Sequence, residues 1–171
     1  MAYGSNIFTG GTPTANAAEA GHEASYAFDG IWDTSTNYWY AGAAGGPPSW
    51  IKYDLGVAIT KILRKLVFQV NEFPDAHDYD PADYTIDGSN NDSDWTNLAT
   101  VSAGSYATGE KVVLEFANST AFRYYRMNIT QTGGTHAPPI IEEIGGYEVI
   151  SNINYLKYYR RTRFPGSITG I

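Results

Sequence analysis

The sequence contains no cysteine. That excludes a disulfide framework, a thiolate metal site and a cysteine nucleophile. Charged residues make up only 17% of the 171 positions while aromatics make up 15%, the reverse of a disordered chain. No apolar run reaches the roughly 18–20 residues of a membrane-spanning helix. The opening MAYGSNIFTGG lacks a charged stretch followed by an apolar core, so no signal peptide is expected. The signatures of common catalysts are missing as well. There is no GxSxG elbow, no P-loop, no GxGxxG and no HExxH, and a non-catalytic chain is expected.

What is present is aromatic and acidic. The chain has 14 Tyr, 7 Phe and 4 Trp within a 43% hydrophobic composition, enough for one core and one domain. The net charge of −7 is unevenly spread. Residues 1–150 hold seven of the 11 bases and all 18 acids, a net of −11, which would repel a phosphate backbone. Eight of those acids fall between Glu72 and Asp94, in a stretch dense with turn formers. Residues 151–171 carry Lys157, Arg160, Arg161 and Arg163 and no acid, with Tyr155, Tyr158, Tyr159 and Phe164 between them. The expected organisation is therefore a domain over 1–150 and a basic, aromatic extension over 151–171. The extension would add a strand, act as a linker, dock on the acidic body or on another subunit, or serve a homo-oligomer.

The periodicity favours strands. In SWIKYDLG, Trp50, Lys52 and Asp54 alternate with Ile51, Tyr53 and Leu55, as in a half-buried strand. KLVFQV, ADYTID, KVVLEF, FRYYRMNIT and IGGYEVI are short, β-branched or aromatic, and bounded by turn residues. The run DGSNNDSDW suits a hairpin or tight loop. Ile59, Ile62, Leu63 and Leu66 have helical spacing, but the flanks cap poorly and the segment runs into KLVFQV, so strand is expected there. Many short strands without a long helix indicate an all-β sandwich.

Read in order, NIF…GTPTANAAEAGHEASYAFDG, PSWIKYDLG, DYTIDGSNNDSDWTNL, FRYYRMNIT and IIEEIGGYEV resemble the discoidin, or coagulation-factor C-type, domains over about residues 5–150. In style they are similar to the family 32 carbohydrate-binding modules. The resemblance implies a single jelly-roll β-sandwich of about eight antiparallel strands that binds ligands without transforming them. Its expected partner is a glycan or polysaccharide, with neither nucleic acid nor membrane insertion. It also implies a structural calcium beside the ligand loops. Asp29, Thr34 and Glu143 would supply side-chain oxygens, and Tyr26, Ile31 and Glu142 carbonyls. Here Trp39 lies five residues after Thr34 rather than two, which leaves Thr36 as an alternative to Thr34.

The family's ligand loops correspond to about 32–46, 71–80 and 132–138. They offer Trp32, Tyr38, Tyr40, Glu72, Phe73, His77 and His136, with Asp75 and Tyr79 nearby and His22 also able to face the site. Aromatic rings stack on the apolar face of a sugar and fixed polar groups hold its hydroxyls. Trp39, Trp50 and Trp95 are expected to pack. Galactose binders of the family usually carry an Arg in the loop that here reads VNEFPDAHDYD. Acids take its place, which suits a neutral or amino sugar better than an acidic one. The alternative is a structural or adhesive domain of a larger assembly, such as a viral tail or capsid decoration. Either role fits an extracellular or virion surface. Phospholipid binding would call for apolar spikes and basic rims, and these loops are acidic.

Overall fold

The computed structural model describes residues 1–32, 35–73, 77–134 and 137–150. The extension over 151–171 lies outside them. Among the described residues there are eleven strands, all paired antiparallel. They are β1 (Tyr3–Asn6), β2 (Thr12–Ala15), β3 (Trp39–Tyr40), β4 (Ser49–Asp54), β5 (Lys65–Gln69), β6 (Pro81–Ser89), β7 (Thr96–Val101), β8 (Lys111–Glu115), β9 (Tyr124–Thr132), β10 (Ile140–Ile141) and β11 (Glu143–Val149). One sheet runs β1-β11-β5-β8 and the other β2-β4-β9-β6-β7, while β3 and β10 form a small ribbon. The all-β sandwich expected from the strand pattern is the fold observed.

The alternation read from the sequence decides which side chains enter the core. In β4, Ile51 and Tyr53 are buried while Trp50, Lys52 and Asp54 face outward. In β9, Tyr125, Met127 and Ile129 point inward and Tyr124, Arg126 and Asn128 outward. Tyr84 and Ile86 of β6 join them, and Leu66 and Phe68 of β5 and Ile144 of β11 close the core from the other sheet. Each such side chain contributes about 1.5–3 kcal/mol when fully buried. Trp39 is fully buried, as expected, and its indole Nε1 donates to the Ala17 carbonyl at 2.9 Å. Trp50 and Trp95 are only half-buried and lie outside this core.

The 59–66 segment departs from the expectation. Strand is expected throughout, but it begins only at Lys65. Its backbone bonds go elsewhere: Lys61 and Phe122 exchange N–H···O bonds of 3.0 and 2.9 Å, and Arg64 N–H donates to Tyr147 O at 2.9 Å. Leu63 and Leu66 are buried but Ile59 is 47% exposed, so the apparent helical face is not one face.

β1 pairs with β11, which brings the two ends of the domain side by side. The contact is tight at Gly146, where an added Cβ would come within 2.7 Å of the Phe8 ring and 2.8 Å of Leu63 Cδ1. Gly146→Ala is therefore expected to destabilise by about 1–3 kcal/mol through overpacking. Gly4→Ala, whose nearest neighbour is 3.8 Å away, is expected to change little. Urea midpoints of the two variants check this.

Candidate functional site

The register places several loops at one end of the sandwich. β5 finishes at Gln69, opposite Lys111 at the start of β8 and Glu143 at the start of β11. β6 starts at Pro81 opposite Thr132, the last residue of β9. Asn71 ties the two sheets' loops together, donating from Nδ2 to Asp80 Oδ1 at 2.6 Å while its Oδ1 accepts from Phe73 N–H at 3.1 Å.

Rings gather at this end for a simple reason. Trp39 goes into the core, so strand alternation turns its neighbours Tyr38 and Tyr40 the other way. The 19–22 turn is fastened to the same strand by Glu19 N–H to Tyr40 O at 2.9 Å and Tyr40 N–H to His22 O at 3.2 Å. His22 and Tyr38 consequently stack with centroids 4.1 Å apart and planes 17° from parallel. Phe73 meets Tyr38 edge-on at 5.5 Å, and Tyr79 meets Tyr40 edge-on at 6.2 Å. Three separate loops thus build one row of five rings. Burial raises the Tyr38 and Tyr40 hydroxyl pKa values, and the Glu19 carboxylate adds to this.

Beside the row lies a polar group. His77 is half-exposed, with Nδ1 3.1 Å from Asp80 Oδ2 and Nε2 3.4 Å from Thr108 Oγ1. Asp80 is buried, and burial pushes its pKa up against the opposing pull of His77. Asp83 turns away from this group and accepts from Ala103 N–H at 2.7 Å.

A second cluster sits where the 3-10 turn Ala24–Phe28 meets β11. Glu143 is fully buried. Its Oε2 accepts from Gly30 N–H at 3.1 Å, and its Oε1 has no hydrogen-bond partner among the described residues. Asp29 is adjacent, held by Ile31 N–H at 2.8 Å and Asn37 Nδ2 at 3.2 Å. Burial, then the Asp29 carboxylate, pushes Glu143 up to about 8. A buried carboxylate with an unsatisfied oxygen, beside the exposed carboxylate of Asp29, is a donor set short of a positive charge.

The structure sorts the sequence candidates as follows. Tyr38, Tyr40 and Phe73 come together, joined by His22 and Tyr79. His77 stands beside Asp80. Trp32 is apart from the ring row, with Lys111 Nζ 5.4 Å from its ring centroid. Glu72 contacts Gln69 Nε2 at 3.2 Å, and its N–H donates to Glu142 Oε1 at 2.7 Å. Glu142 is fully buried. Asp29 and Glu143 meet, with Ile31 and the half-buried Tyr26 on the adjoining turn. Thr36 is exposed, while Thr34 and His136 lie outside the described residues. Thr108 and Lys111 were not singled out from sequence. GSYATGEK reads only as a turn between strands, and nothing local says which end of the sandwich it serves.

Comparison with known proteins agrees with this architecture. The sequence pattern described as the F5/8 type C domain matches residues 12–144. Chitosan-binding module 1 of a chitosanase/glucanase from Paenibacillus sp. IK-5 is 28% identical, with a TM-score of 0.66 over 85% of this chain and 100% of that one. Module 2 of the same enzyme, solved with chitotriose, is 23% identical, with a TM-score of 0.67 over 84% and 100%. The family 32 CBM of Clostridium perfringens NanJ, solved with galactose, is 18% identical, with a TM-score of 0.69 over 86% and 100%. No protein of curated function matches the chain.

Proposed function

The chain belongs to the F5/8 type C domain family, and on that premise we propose that it is a non-catalytic carbohydrate-binding module whose ligand lies across the ring row. The observation that carries this is the assembly of Tyr38, His22, Tyr40, Tyr79 and Phe73 from three loops at one end of a rigid sandwich. Such a row offers flat apolar plates to sugar rings, and His77, held through Nδ1 by buried Asp80, offers its ring edge to a hydroxyl. Acids surround the row, with Glu19, Glu72, Asp78 and Asp80 on its loops. They favour an uncharged or amino sugar over an acidic one. Chitotriose bound to the Paenibacillus module and galactose bound to the Clostridium module support a glycan as the ligand class.

The Asp29–Glu143 corner fits a calcium ion. Hard carboxylate oxygens are what calcium takes, and the buried Glu143 Oε1 lacks another partner among the described residues. Asp29 and Glu143 would hold it, with Thr34 or Thr36 and the carbonyls of Tyr26, Ile31 and Glu142 completing the set. The ion would pin the start of β11 to the turn after the 3-10 segment, supporting the loops without entering the sugar site.

A glycan array probed with and without calcium tests the function. Binding is expected to glycans with neutral or amino-sugar termini and to weaken in chelator. No binding under either condition would reject the reading in favour of a structural domain of a larger assembly.

A further inference from the structure

The outer face of the five-stranded sheet carries a groove of about 250 Å³ lined by Trp50, Lys52, Asp92, Trp95 and Arg126. It shares no residue with the ring row at the loop end. Its floor is costly to build. Lys52 of β4 and Arg126 of β9 are direct cross-strand partners, and like charges placed opposite each other destabilise a sheet. Each is neutralised from another element. Lys52 Nζ reaches both oxygens of Asp92 at 2.7 and 2.6 Å, and Arg126 Nη2 reaches Asp87 Oδ2 at 2.9 Å. Asp92 holds its place at a φ of 62°, a left-handed conformation unusual for a side chain other than glycine.

The indoles flank this floor. Lys52 Nζ lies 5.0 Å from the Trp50 ring centroid and the Arg126 guanidinium 4.1 Å from that of Trp95. These cations fix the rings in place. Trp50 and Trp95 are half-buried, and neither indole N–H has a hydrogen-bond partner among the described residues. Trp39, by contrast, spends its N–H on a backbone carbonyl. Outward-facing Asn128 and Thr85 lie in register with Trp50 and extend the polar floor across the sheet.

The charge balance selects the ligand. An anion would have to displace Asp92 from Lys52 or Asp87 from Arg126. An apolar ligand would bury matched charges without hydrogen bonds, which is unfavourable. A nucleic acid would meet the net charge of −11 on residues 1–150. An uncharged polyhydroxyl ring satisfies every group, its hydroxyls donating to Asp92 and accepting from Lys52, Arg126 and the indole N–H groups, its apolar face lying on an indole. We infer that this groove is a second binding site, for one uncharged glycosyl unit. The inference draws on the carbohydrate reading only for the class of ligand.

The test follows the four indole N–H resonances by NMR, each assigned from its Trp→Phe variant, as galactose or chitotriose is added. The Trp50 and Trp95 signals are expected to shift and saturate with at least one sugar. They are expected to do so equally in Tyr38→Ala protein, whose loop-end row is disabled. Trp95→Ala is expected to abolish the Trp50 shift. Asp92→Gly, which suits the local φ, is expected to weaken groove binding at least tenfold while leaving Tyr38-dependent binding intact. Trp50 and Trp95 signals that stay fixed with both sugars overturn the groove, whatever the loop end does. Failure at the loop end with these signals still shifting leaves the groove standing.

Discussion

Saturating calcium is expected to raise the melting temperature by about 5–10 °C over the same protein in excess chelator. A ligand at 100 times its dissociation constant stabilises by about 2.7 kcal/mol. A chain of this size gains roughly 2–4 °C per kcal/mol. The pH dependence makes the expectation specific. In the folded metal-free chain Glu143 keeps its proton up to about pH 8, against 4.5 for an ordinary glutamate. Between those values the unfolded chain binds fewer protons than the folded one, so stability falls as pH rises through that window. Below pH 4.5 both states carry the proton and the penalty vanishes. Calcium supplies the positive charge in place of the proton, so the slope should flatten when it is present. Glu143→Gln keeps the shape of the neutral side chain. It is expected to remove the calcium response and the slope together, and to melt higher than the parent in chelator at pH 8. Identical melting curves with calcium and with chelator from pH 5 to 8 would sink the calcium site.

The same corner shows what a sequence can carry. Asp29 and Glu143 are 114 positions apart, and only family resemblance brought them together in the sequence. No local pattern records that β11 returns beside the turn after Phe28. The sandwich itself was legible, because alternation is a local property. Ile51 and Tyr53 against Trp50 and Lys52 can be sorted by eye, and the structure sorts them the same way. β1, β2, β3 and β10 were not identified, being four residues or fewer, nor was the six-residue β7, whose TNLATV buries no side chain fully and so shows no clear apolar alternation. The 59–66 segment, expected as strand, is strand only from Lys65, because before it only Lys61 bridges to Phe122 and no ladder forms, which no local pattern records. Within the candidate site, the loop aromatics were visible as residue types. Their partnership was not. The His22–Tyr38 stack depends on backbone bonds that fasten the 19–22 turn to β3, and no spacing rule encodes them. Sequence alone predicts that Trp50 and Trp95 pack; the groove between them needs the register that sets Lys52 opposite Arg126, which belongs to the pairing of β4 with β9.

Tyr38→Ala is expected to weaken chitotriose binding at the loop end by about 30-fold, or more. Tyr38 is the hinge of the ring row, stacked on His22 at 4.1 Å and met edge-on by Phe73 at 5.5 Å. Truncation removes one plate and also lets its two neighbours turn, so the loss exceeds one contact. Central aromatic residues of this kind cost 2 kcal/mol or more when truncated, which is about the factor given. The fold should persist, because Tyr38 lies outside the core cluster and Trp39 still anchors the strand. Tyr40→Phe retains the ring and its edge contact with Tyr79, so it should lose only what its hydroxyl contributes, severalfold at most. His77→Ala should fall between the two, since it removes one polar partner of the sugar and leaves buried Asp80 with Asn71 alone. Isothermal titration of the three variants checks the order Tyr38→Ala, His77→Ala, Tyr40→Phe from largest loss to smallest. An affinity unchanged in Tyr38→Ala protein, with its melting temperature also unchanged, would place the sugar elsewhere on the chain. The NMR signals of Trp50 and Trp95 would then show whether it had been in the sheet-face groove.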